Sequence, residues 1–508
     1  LKEARQVGGT GVTWFESAAL SYEIHQPYTL FQRLFRQVCG LYQTENSALV
    51  LKRIRPMLKS FSAEAREDAL QALGGLFALG SAATQSGETF RARLFKFMGD
   101  FWRMQCMQNP VTLVFDDLHW ADPASVELLQ HLLPLCGEVP LLLLFGSRPD
   151  AETPGWRLKA AGQDFPEVCE IFLQPLNASE CDHLVHNLLS IMDLSPRLQE
   201  RIQARAEGNP LFIEELVRTL IEKHVIVFEE KTGHWLTQQD PDQIELPTTL
   251  QALLSARIDR LDTAPRSTLQ MASVIGRQFY ARVLASILTV EKELPAHLET
   301  LQRVQLIEEA AHNPELAYIF RHVLMQEAAY QSILHQQRRE FHRQVAETLE
   351  SLFADQRDEY AATLAYHFSA AEMPGRSFFY LCLAGDVAFQ MHAIPEAGDY
   401  YRRAVALTAA ADATFDEIRA AYLHYGRTLE LTNQYPAAVQ TYQALATLGE
   451  EKNQPSLTLA AWVALAKIRA LPCPVHDPEQ AVLLIDKATA LARELGDLGA
   501  EARVLWVK

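Results

Sequence analysis

The sequence predicts a parallel α/β domain followed by helical domains, and three observations support this fold class. Apolar strands alternate with helical stretches over residues 1–175, which is typical of βαβ units and a parallel sheet. Residues 176–324 are mainly helical in pattern, with two short strand pairs. Residues 325–508 are helical throughout and contain an internal repeat. We therefore expect four domains, covering residues 1–175, 176–246, 247–324 and 325–508.

Composition limits the possible classes. The chain has 508 residues and a net charge of −17, which argues against nonspecific nucleic-acid binding because such binding uses a basic surface. Its seven cysteines are scattered without a C-x-x-C pair, so we expect a reducing, cytoplasmic compartment and neither a zinc site nor a disulfide framework. No apolar run approaches the length of a membrane span, so none is expected within this sequence.

The α/β part follows from its apolar runs and the periodic stretches between them. The expected strands are Val12–Phe15, Val111–Phe115, Leu141–Phe145 and Glu170–Leu173. The expected helices are Tyr28–Cys39, Arg91–Gln108 and Pro123–Leu135. Residues 42–90 form an insert that we expect to be helical, with a linker at Gly80–Gly87.

The strand Val111–Phe115 ends in two adjacent acids, Asp116 and Asp117. Because the run is apolar on both faces, it indicates a buried parallel strand whose carboxyl end borders a ligand crevice. Asp116 is then the expected Mg²⁺ ligand, and Asp117 the expected residue to orient or activate an attacking water. This pattern is that of a Walker B strand. The alternative is a core strand followed by two solvated acids.

The chain contains no G-x-x-x-x-G-K-[ST] phosphate loop, which normally precedes a Walker B strand. The nearest glycine cluster, Gly8–Gly11, lacks the lysine, and we expect it to form a turn. Because Leu1–Gln6 has the pattern of the end of a helix, the expectation is an N-terminally truncated core, cut just after the phosphate loop. A true loss of the loop is the alternative.

Leu141–Phe145 is expected to be a second buried strand, and it leads to Ser147 and Arg148. An arginine at the edge of the crevice, beside the Asp116 strand, could contact a γ-phosphate and so distinguish ATP from ADP. The alternative is a surface arginine that follows a core strand.

Two later positions could contact a nucleotide. Asn209 and Pro210 begin a helix, and capping alone explains both residues. The other interpretation packs Pro210 against an adenine ring, and the sequence does not separate the two. His322 follows the expected strand Tyr318–Phe320, where a lone histidine is more often structural.

The middle of the chain carries turn and cap signals. Asn177 and Ser179 are possible N-caps. The expected hairpin, its turn and the linker after it are Val225–Thr237, Lys231–Gly233 and Pro241–Pro247. Three short helices over residues 248–320 and the strand pair Leu306–Ala310 and Tyr318–Phe320, separated by His312–Pro314, indicate a winged helix. We expect no DNA binding by this unit, given the acidic composition.

An alanine-centred pattern repeats in the C-terminal part. Its three occurrences are Ala397, Tyr401 and Ala404; Ala438, Tyr442 and Leu445; and Ala481, Ile485 and Ala488. Gly385 and Gly426 each lie 12 residues before the repeat alanine. Small residues at fixed positions let paired helices approach closely, as in tetratricopeptide (TPR) repeats, which bind partners. The alternative is an unrelated helical bundle.

Taken in chain order, these segments resemble the signal-transduction ATPases with numerous domains (STAND), a branch of the AAA-like P-loop NTPases. The matching segments are Asp116–Asp122, Gly146–Pro149, Gly208–Pro210 and Phe320–His322. The resemblance implies that Asp116 holds Mg²⁺, that Asp117 and Arg148 act in hydrolysis and γ-phosphate sensing, that Pro210 packs on adenine, and that His322 approaches the ADP β-phosphate.

The chain is most similar to the ATPase–repeat half of bacterial regulators that carry a class III nucleotide cyclase or a kinase domain. Arg257–Asp262, Ser273–Arg277 and Phe320–Tyr330 carry this similarity. It implies an ATP/ADP-dependent signalling switch in which the repeats bind a protein partner or a small effector and the ATP state self-associates. The alternatives are a TPR scaffold with a degenerate NTPase core and a winged-helix transcription regulator.

Overall fold

The structure is a computed structural model, and it describes most of the chain. The described residues are 11–20, 23–41, 45–79, 87–163, 165–189, 195–229, 234–238, 244, 246–288, 292–311 and 315–507. Several predicted segments lie wholly or largely outside them: Leu1–Gln6, Gly8–Gly11, Gly80–Gly87, Lys231–Gly233, Pro241–Pro247 and His312–Pro314. The chain divides into two compact units, Leu1–Val168 with Leu349–Lys508, and Cys169–Thr348.

The first unit begins with a parallel three-stranded sheet in the order β1-β2-β3, as the sequence predicts. Its strands are β1 (Thr13–Ala18), β2 (Val111–Asp116) and β3 (Leu141–Phe145). The register places Ala18 opposite Asp116 and Phe115 opposite Phe145, so the carboxyl ends of the strands meet at one edge. The helices of this part are α1 (Thr29–Val38), α2 (Ala48–Ile54), α3 (Ala63–Leu76), α4 (Gly87–Gln108), α5 (Pro123–Leu132) and α6 (Trp156–Gly162).

An aromatic cluster forms the core between the sheet and its helices. Phe31 of α1 packs against Phe115 of β2 with ring centroids 5.9 Å apart. Phe35 lies 5.1 Å from Phe101 of α4, and the latter ring meets Trp102 edge-on. Phe35 and Trp102 are fully buried, and Phe101 is as well. Large rings at helical spacing therefore fix α1 and α4 against the strand that carries the paired acids.

Two strand predictions need correction. Leu141–Phe145 is a strand, but it is not wholly buried, since Leu142 is 50% exposed and Phe145 is 37% exposed. It is an edge strand of the described sheet, so it has a neighbouring strand on one side only, whereas the central strand β2 has one on both sides. Glu170–Leu173 is not a strand, and Leu173 is 93% exposed. A strand needs a ladder of backbone pairing, and the described sheet does not extend to these residues.

The rest of the first unit is an array of antiparallel helices, as the repeat pattern predicts. They are α16 (Arg357–Ala370), α17 (Pro374–Gln390), α18 (Ile394–Leu407), α19 (Phe415–Leu431), α20 (Tyr435–Glu451), α21 (Pro455–Ala470), α22 (Pro478–Leu495) and α23 (Leu498–Val507).

The glycines of the repeat act as the spacing suggests. A Cβ atom on Gly385 would lie 2.7 Å from the Tyr401 ring, and one on Gly426 would lie 2.1 Å from the Tyr442 ring. Each tyrosine therefore packs directly on the backbone of the preceding helix. This close contact within successive helix pairs confirms the TPR-like array.

The second unit is mainly helical. It contains α7 (Ala178–Leu189), α8 (Pro196–Ala206), α9 (Pro210–Glu222), β4 (Ile226–Glu229), β5 (His234–Thr237), α10 (Leu250–Asp259), α11 (Thr263–Ile275), β6 (Gln278–Tyr280), α12 (Ala281–Leu288), α13 (Leu294–Arg303), β7 (Ile307–Ala311), β8 (Ala317–Phe320), α14 (Val323–Gln331) and α15 (His335–Leu352), the last of which ends beyond Thr348. The β4–β5 pair is the expected antiparallel hairpin.

The region predicted as a winged helix holds more elements than the sequence suggests. The described residues between 248 and 320 form four helices rather than three, and β6 adds a third strand to give the antiparallel order β6-β8-β7. The three-residue β6 is too short to show a periodic pattern. Of the two predicted caps before α7, Asn177 accepts from the amide of Glu180 at 3.0 Å, whereas Ser179 lies within the helix.

No helix among the residues described here combines the length and the apolar content needed to cross a membrane.

Candidate functional site

The paired acids lie where the parallel strands end. Asp116 closes β2, and Asp117 follows with a left-handed backbone (φ 54°), which aspartate tolerates better than most residues. The Asp117 amide donates to Asp116 Oδ1 at 2.9 Å, which orients the first carboxylate. The Leu118 amide then donates to the Gly146 carbonyl at 2.9 Å. This hydrogen bond joins the segment that follows β2 to the segment that follows β3.

Gly146 makes room for the first acid. A Cβ atom at this position would lie 2.3 Å from Asp116 Oδ1, so any other residue would displace the carboxylate. The glycine of the Gly146–Pro149 motif is thus a steric requirement of the paired-acid site. Its position follows from the register, because Phe115 pairs with Phe145 and the next residues of both strands face the same edge.

Arg148 belongs to the same group of charges. Burial lowers the pKa of His119, and the positive charge of Arg148 lowers it further, whereas Asp117 and Asp116 act in the opposite direction. The predicted residues Asp116, Asp117 and Arg148 are therefore gathered around one buried imidazole. The His119 ring lies beside that of Trp120, with ring centroids 5.1 Å apart and the two planes tilted by 46°.

The position of Asp116 fits a single carboxylate ligand of a Mg²⁺ ion. Asp116 is exposed at the strand end, and its carboxylate occupies a space that only glycine leaves open. Among the described residues, no group of three or more His, Cys, Asp or Glu side chains is arranged to hold a metal ion. Mg²⁺ commonly takes one or two carboxylates and fills its other positions with water and phosphate oxygens.

Pro210 and His322 both lie in the second unit. Pro210 is exposed at the first position of α9, and Asn209 caps the helix by accepting from the Phe212 amide at 3.2 Å. Gly208 has a φ of +74°, and a Cβ atom there would lie 2.4 Å from the Leu176 carbonyl oxygen. The capping interpretation is confirmed by these contacts, and the adenine contact of Pro210 stays a prediction.

His322 is half-buried at the start of α14, next to an ion pair. Arg321 contacts Glu214 of α9 at 3.2 Å. Burial lowers the pKa of His322, and Glu214 opposes that effect. The His322 segment is therefore held against the helix that Pro210 begins, and its contact with a diphosphate stays a prediction.

Sequence reasoning missed two buried carboxylates. Glu215 pairs with Arg257, and both side chains are almost fully buried. Glu396, at the start of α18, accepts from the Ala124 amide at the start of α5, 272 residues away. A glutamate in the first turn of a helix has an ordinary local explanation in the helix dipole, so nothing in the sequence marks Glu396.

Residues 2–144 match the family model of the AAA ATPase domain. This match covers β1, β2, the paired acids and most of β3. The N-terminal part of the chain is therefore similar to AAA ATPase domains. The predicted P-loop ATPase with a helical repeat array is confirmed in these two parts, and an AAA ATPase domain implies a nucleotide as its ligand. Residues 177–234, from the start of α7 to the hairpin, match a domain of unknown function.

Two curated proteins are similar to parts of the chain. An uncharacterized protein of Rhizobium meliloti (strain 1021) is 27% identical over 248 residues, which cover 47% of this chain and 22% of that protein. The peroxide stress-activated histidine kinase mak3 of Schizosaccharomyces pombe is 23% identical over 199 residues, 38% of this chain and 8% of the kinase. The chain thus spans about a fifth or less of the length of these relatives.

A crystal structure of a STAND protein with a tetratricopeptide repeat sensor from Pyrococcus horikoshii is also similar. The comparison covers 99% of this chain and 78% of that chain, at 11% identity and a TM-score of 0.36. A likeness of this size carries no argument about function.

Proposed function

We propose that the chain is the regulatory part of an ATP-dependent signal-transduction switch of the STAND type. The observation that supports it best is the meeting of Asp116, Asp117 and Arg148 at the carboxyl edge of the AAA ATPase sheet, with Gly146 leaving the space for Asp116. Acids and an arginine at this edge are the groups that phosphoryl transfer needs, because catalysis there depends on positioning and charge stabilisation.

Each residue has a proposed role in the switch. Asp116 holds Mg²⁺, which neutralises phosphate charge when it is bound with nucleotide. Asp117 positions the attacking water. Arg148 senses the γ-phosphate. Pro210 packs on the adenine, and His322 contacts the diphosphate.

The repeats are the proposed sensor, which binds a protein partner or a small effector. ADP favours a closed state and ATP an open, self-associating state, and a nucleotide can shift this balance only by binding the two states differently. The relative mak3 is named a histidine kinase, which supports a kinase domain as the proposed output of the switch. A nucleotide cyclase domain is the alternative output. The cytoplasm is the proposed location.

One sequence observation favours a scaffold as a second candidate. The sequence from Leu1 to Lys508 contains no G-x-x-x-x-G-K-[ST] segment, and without such a loop the repeats would be the surface that carries the function. The two candidates separate when nucleotide binding is measured on this chain and on the chain extended by whatever its gene encodes before Leu1. Micromolar ATP binding by the extended protein supports the switch, and no binding by either supports the scaffold.

The role of Asp117 is tested in the protein that binds ATP. Asp117→Asn keeps the size of the side chain and removes its charge, so ATP turnover should fall by at least about tenfold while the ATP Kd stays within about twofold. Glu138→Gln is the control, since Glu138 is an exposed partner of Arg103 on the surface. Unchanged turnover in Asp117→Asn would remove Asp117 from hydrolysis.

A further inference from the structure

The first turn of α5 donates hydrogen bonds to two buried carboxylates that lie far apart from each other in the sequence. Asp122, which is 1% exposed, accepts from the amides of Ser125 at 2.7 Å and Tyr28 at 2.9 Å. Glu396, which is 2% exposed, accepts from the Ala124 amide at 3.0 Å. Asp122 belongs to the ATPase domain and Glu396 to the repeat helix α18, so both parts of the first unit share one helix start.

The shared helix start lies close to the paired acids. Asp122 comes six positions after Asp116 in the sequence, and the segment between them contains the short 3₁₀ turn Leu118–Trp120. This segment is also fastened to the end of β3, because Leu118 donates to the Gly146 carbonyl. A movement of the start of α5 must therefore change the backbone of the few residues between Asp116 and Asp122, and Asp117 is one of them.

Neither buried acid has a cation partner in the part of the chain that the structure describes. The charged and titratable groups around them mostly pair among themselves: Arg91 with Glu127, and Asp399 with Arg402, Arg403 and His25. Glu396 Oε2 is buried without a hydrogen-bond partner among the described residues. Tyr28, Tyr400 and His392 complete the surroundings.

Burial dominates the behaviour of both acids. It raises the pKa of Glu396 to about 8, and the negative charge of Asp122 adds to this effect. Burial also raises the pKa of Asp122 to about 6, although its hydrogen bonds with Ser125 and Tyr28 oppose the rise. The helix N-terminus favours a negative charge, but two charges without a cation in a buried site repel each other.

We propose that the buried acids Asp122 and Glu396, which both accept hydrogen bonds from the first turn of α5, form a proton-dependent latch by which the repeat array holds the segment that carries the paired acids. With a proton on the pair, one neutral acid and one carboxylate share the amides of the first turn. Loss of that proton leaves two buried negative charges, and the contact opens. The consequence for hydrolysis rests on the proposed function, whereas the latch itself requires no nucleotide.

The direction of the pH dependence follows from linkage. Both acids bind protons more tightly in the closed contact than when exposed, where their pKa values are 4.5 and 3.8. The contribution of the latch is therefore complete below about pH 4 and declines as the pH rises through about 8.

Hydrogen exchange of the first turn of α5 tests the latch on the chain as it stands. The readout is the protection factor of the Ala124–Val126 amides, corrected for intrinsic exchange, between pH 5.5 and 8.5. In the native chain it should fall by at least about tenfold, since one pKa unit corresponds to a tenfold change. In Glu396→Gln, which keeps an acceptor and cannot ionise, it should fall by less than about fivefold, because only Asp122, whose pKa burial raises to about 6, is left to titrate.

The controls decide between the latch and a general effect of pH. Asp416→Asn changes an exposed carboxylate on α19 that pairs with Arg419, and it should follow the native chain. Asp122→Asn is a second variant, which keeps the cap, and its profile should be less steep than the native one but not flat, because Glu396 loses the repulsion of Asp122 but stays buried. A native profile that is already flat, or a Glu396→Gln profile as steep as the native one, would overturn the proposal. ATP turnover is not measured, so this outcome is independent of the proposed function.

Discussion

Two buried glutamates are stabilised in different ways in the two units of the molecule. In the second unit, Glu215 is 1% exposed and pairs with Arg257, whose guanidinium also donates to the Val304 carbonyl. In the first unit, Glu396 is 2% exposed and meets the Ala124 amide and a second acid. The negative charge of Glu215 is compensated by a cation. Glu396 is stabilised instead by an amide donor and by protonation.

The two contacts differ in how they depend on pH. An ion pair with a guanidinium keeps its charges over the whole physiological range, because arginine does not lose its proton. It therefore fixes α9 against α10 at any pH near neutrality. An acid that faces another acid changes its protonation within that range, so the contact between α5 and α18 can respond to conditions. The same residue type thus gives a permanent clamp in one place and a responsive contact in the other.

The largest effect is expected where the cation is removed. Arg257→Met leaves Glu215 buried without its partner, so the free energy of unfolding, measured by urea denaturation at pH 7, should fall by about 3–5 kcal/mol. Arg260→Met on α10 is the matched control, because the Arg260–Glu222 pair is 41% and 37% exposed and should contribute at most about 1 kcal/mol. Equal losses in the two variants would mean that burial does not distinguish these pairs.

The sequence predicts the parts of the fold whose patterns are local. The apolar run before Asp116 gives β2, and the spacing of Gly385 and Gly426 gives the close helix pairs. It fails for Glu170–Leu173, because an apolar run predicts a strand even where no strand among the described residues pairs with it. It misses β6, because three residues are too few for a period.

The same distinction applies to the site. The meeting of Asp116, Asp117 and Arg148 at one edge can be predicted, because the two acids stand at the end of β2, Arg148 follows β3, and neighbouring parallel strands end at the same edge. The contact between Ala124 and Glu396 cannot, because it joins positions 272 residues apart whose local roles are already explained by helix starts. A single sequence contains no signal for such a pairing.

A third buried glutamate combines a cation with a neutral donor. Glu430 pairs with Arg427 at 2.6 Å and accepts from the Tyr442 hydroxyl at 2.7 Å, and the Tyr442 ring packs on Gly426. Gly426→Ala would push the ring away and weaken this hydrogen bond, so we expect a loss of about 1–3 kcal/mol in the free energy of unfolding. Gly375→Ala is the control, since a Cβ atom there meets nothing within 4 Å and should be neutral or mildly stabilising. A neutral Gly426→Ala would show that the repeat pairs are loosely packed.

The smallest effect is expected for Glu396→Gln, which is compared with the same change at Glu215. Glu215→Gln removes the charge that compensates Arg257 and should cost about 3 kcal/mol at pH 7, because a buried guanidinium is left with a neutral partner. Glu396→Gln keeps an acceptor for the Ala124 amide and removes the repulsion with Asp122, so the change should stay below about 1 kcal/mol. Its sign should also depend on pH, since the native contact loses stability as its proton leaves and the amide does not. Urea denaturation of both variants at pH 5.5 and pH 8 measures this. If Glu396→Gln costs as much as Glu215→Gln at both values, the two carboxylates carry the same charge state, and the contrast between clamp and responsive contact fails.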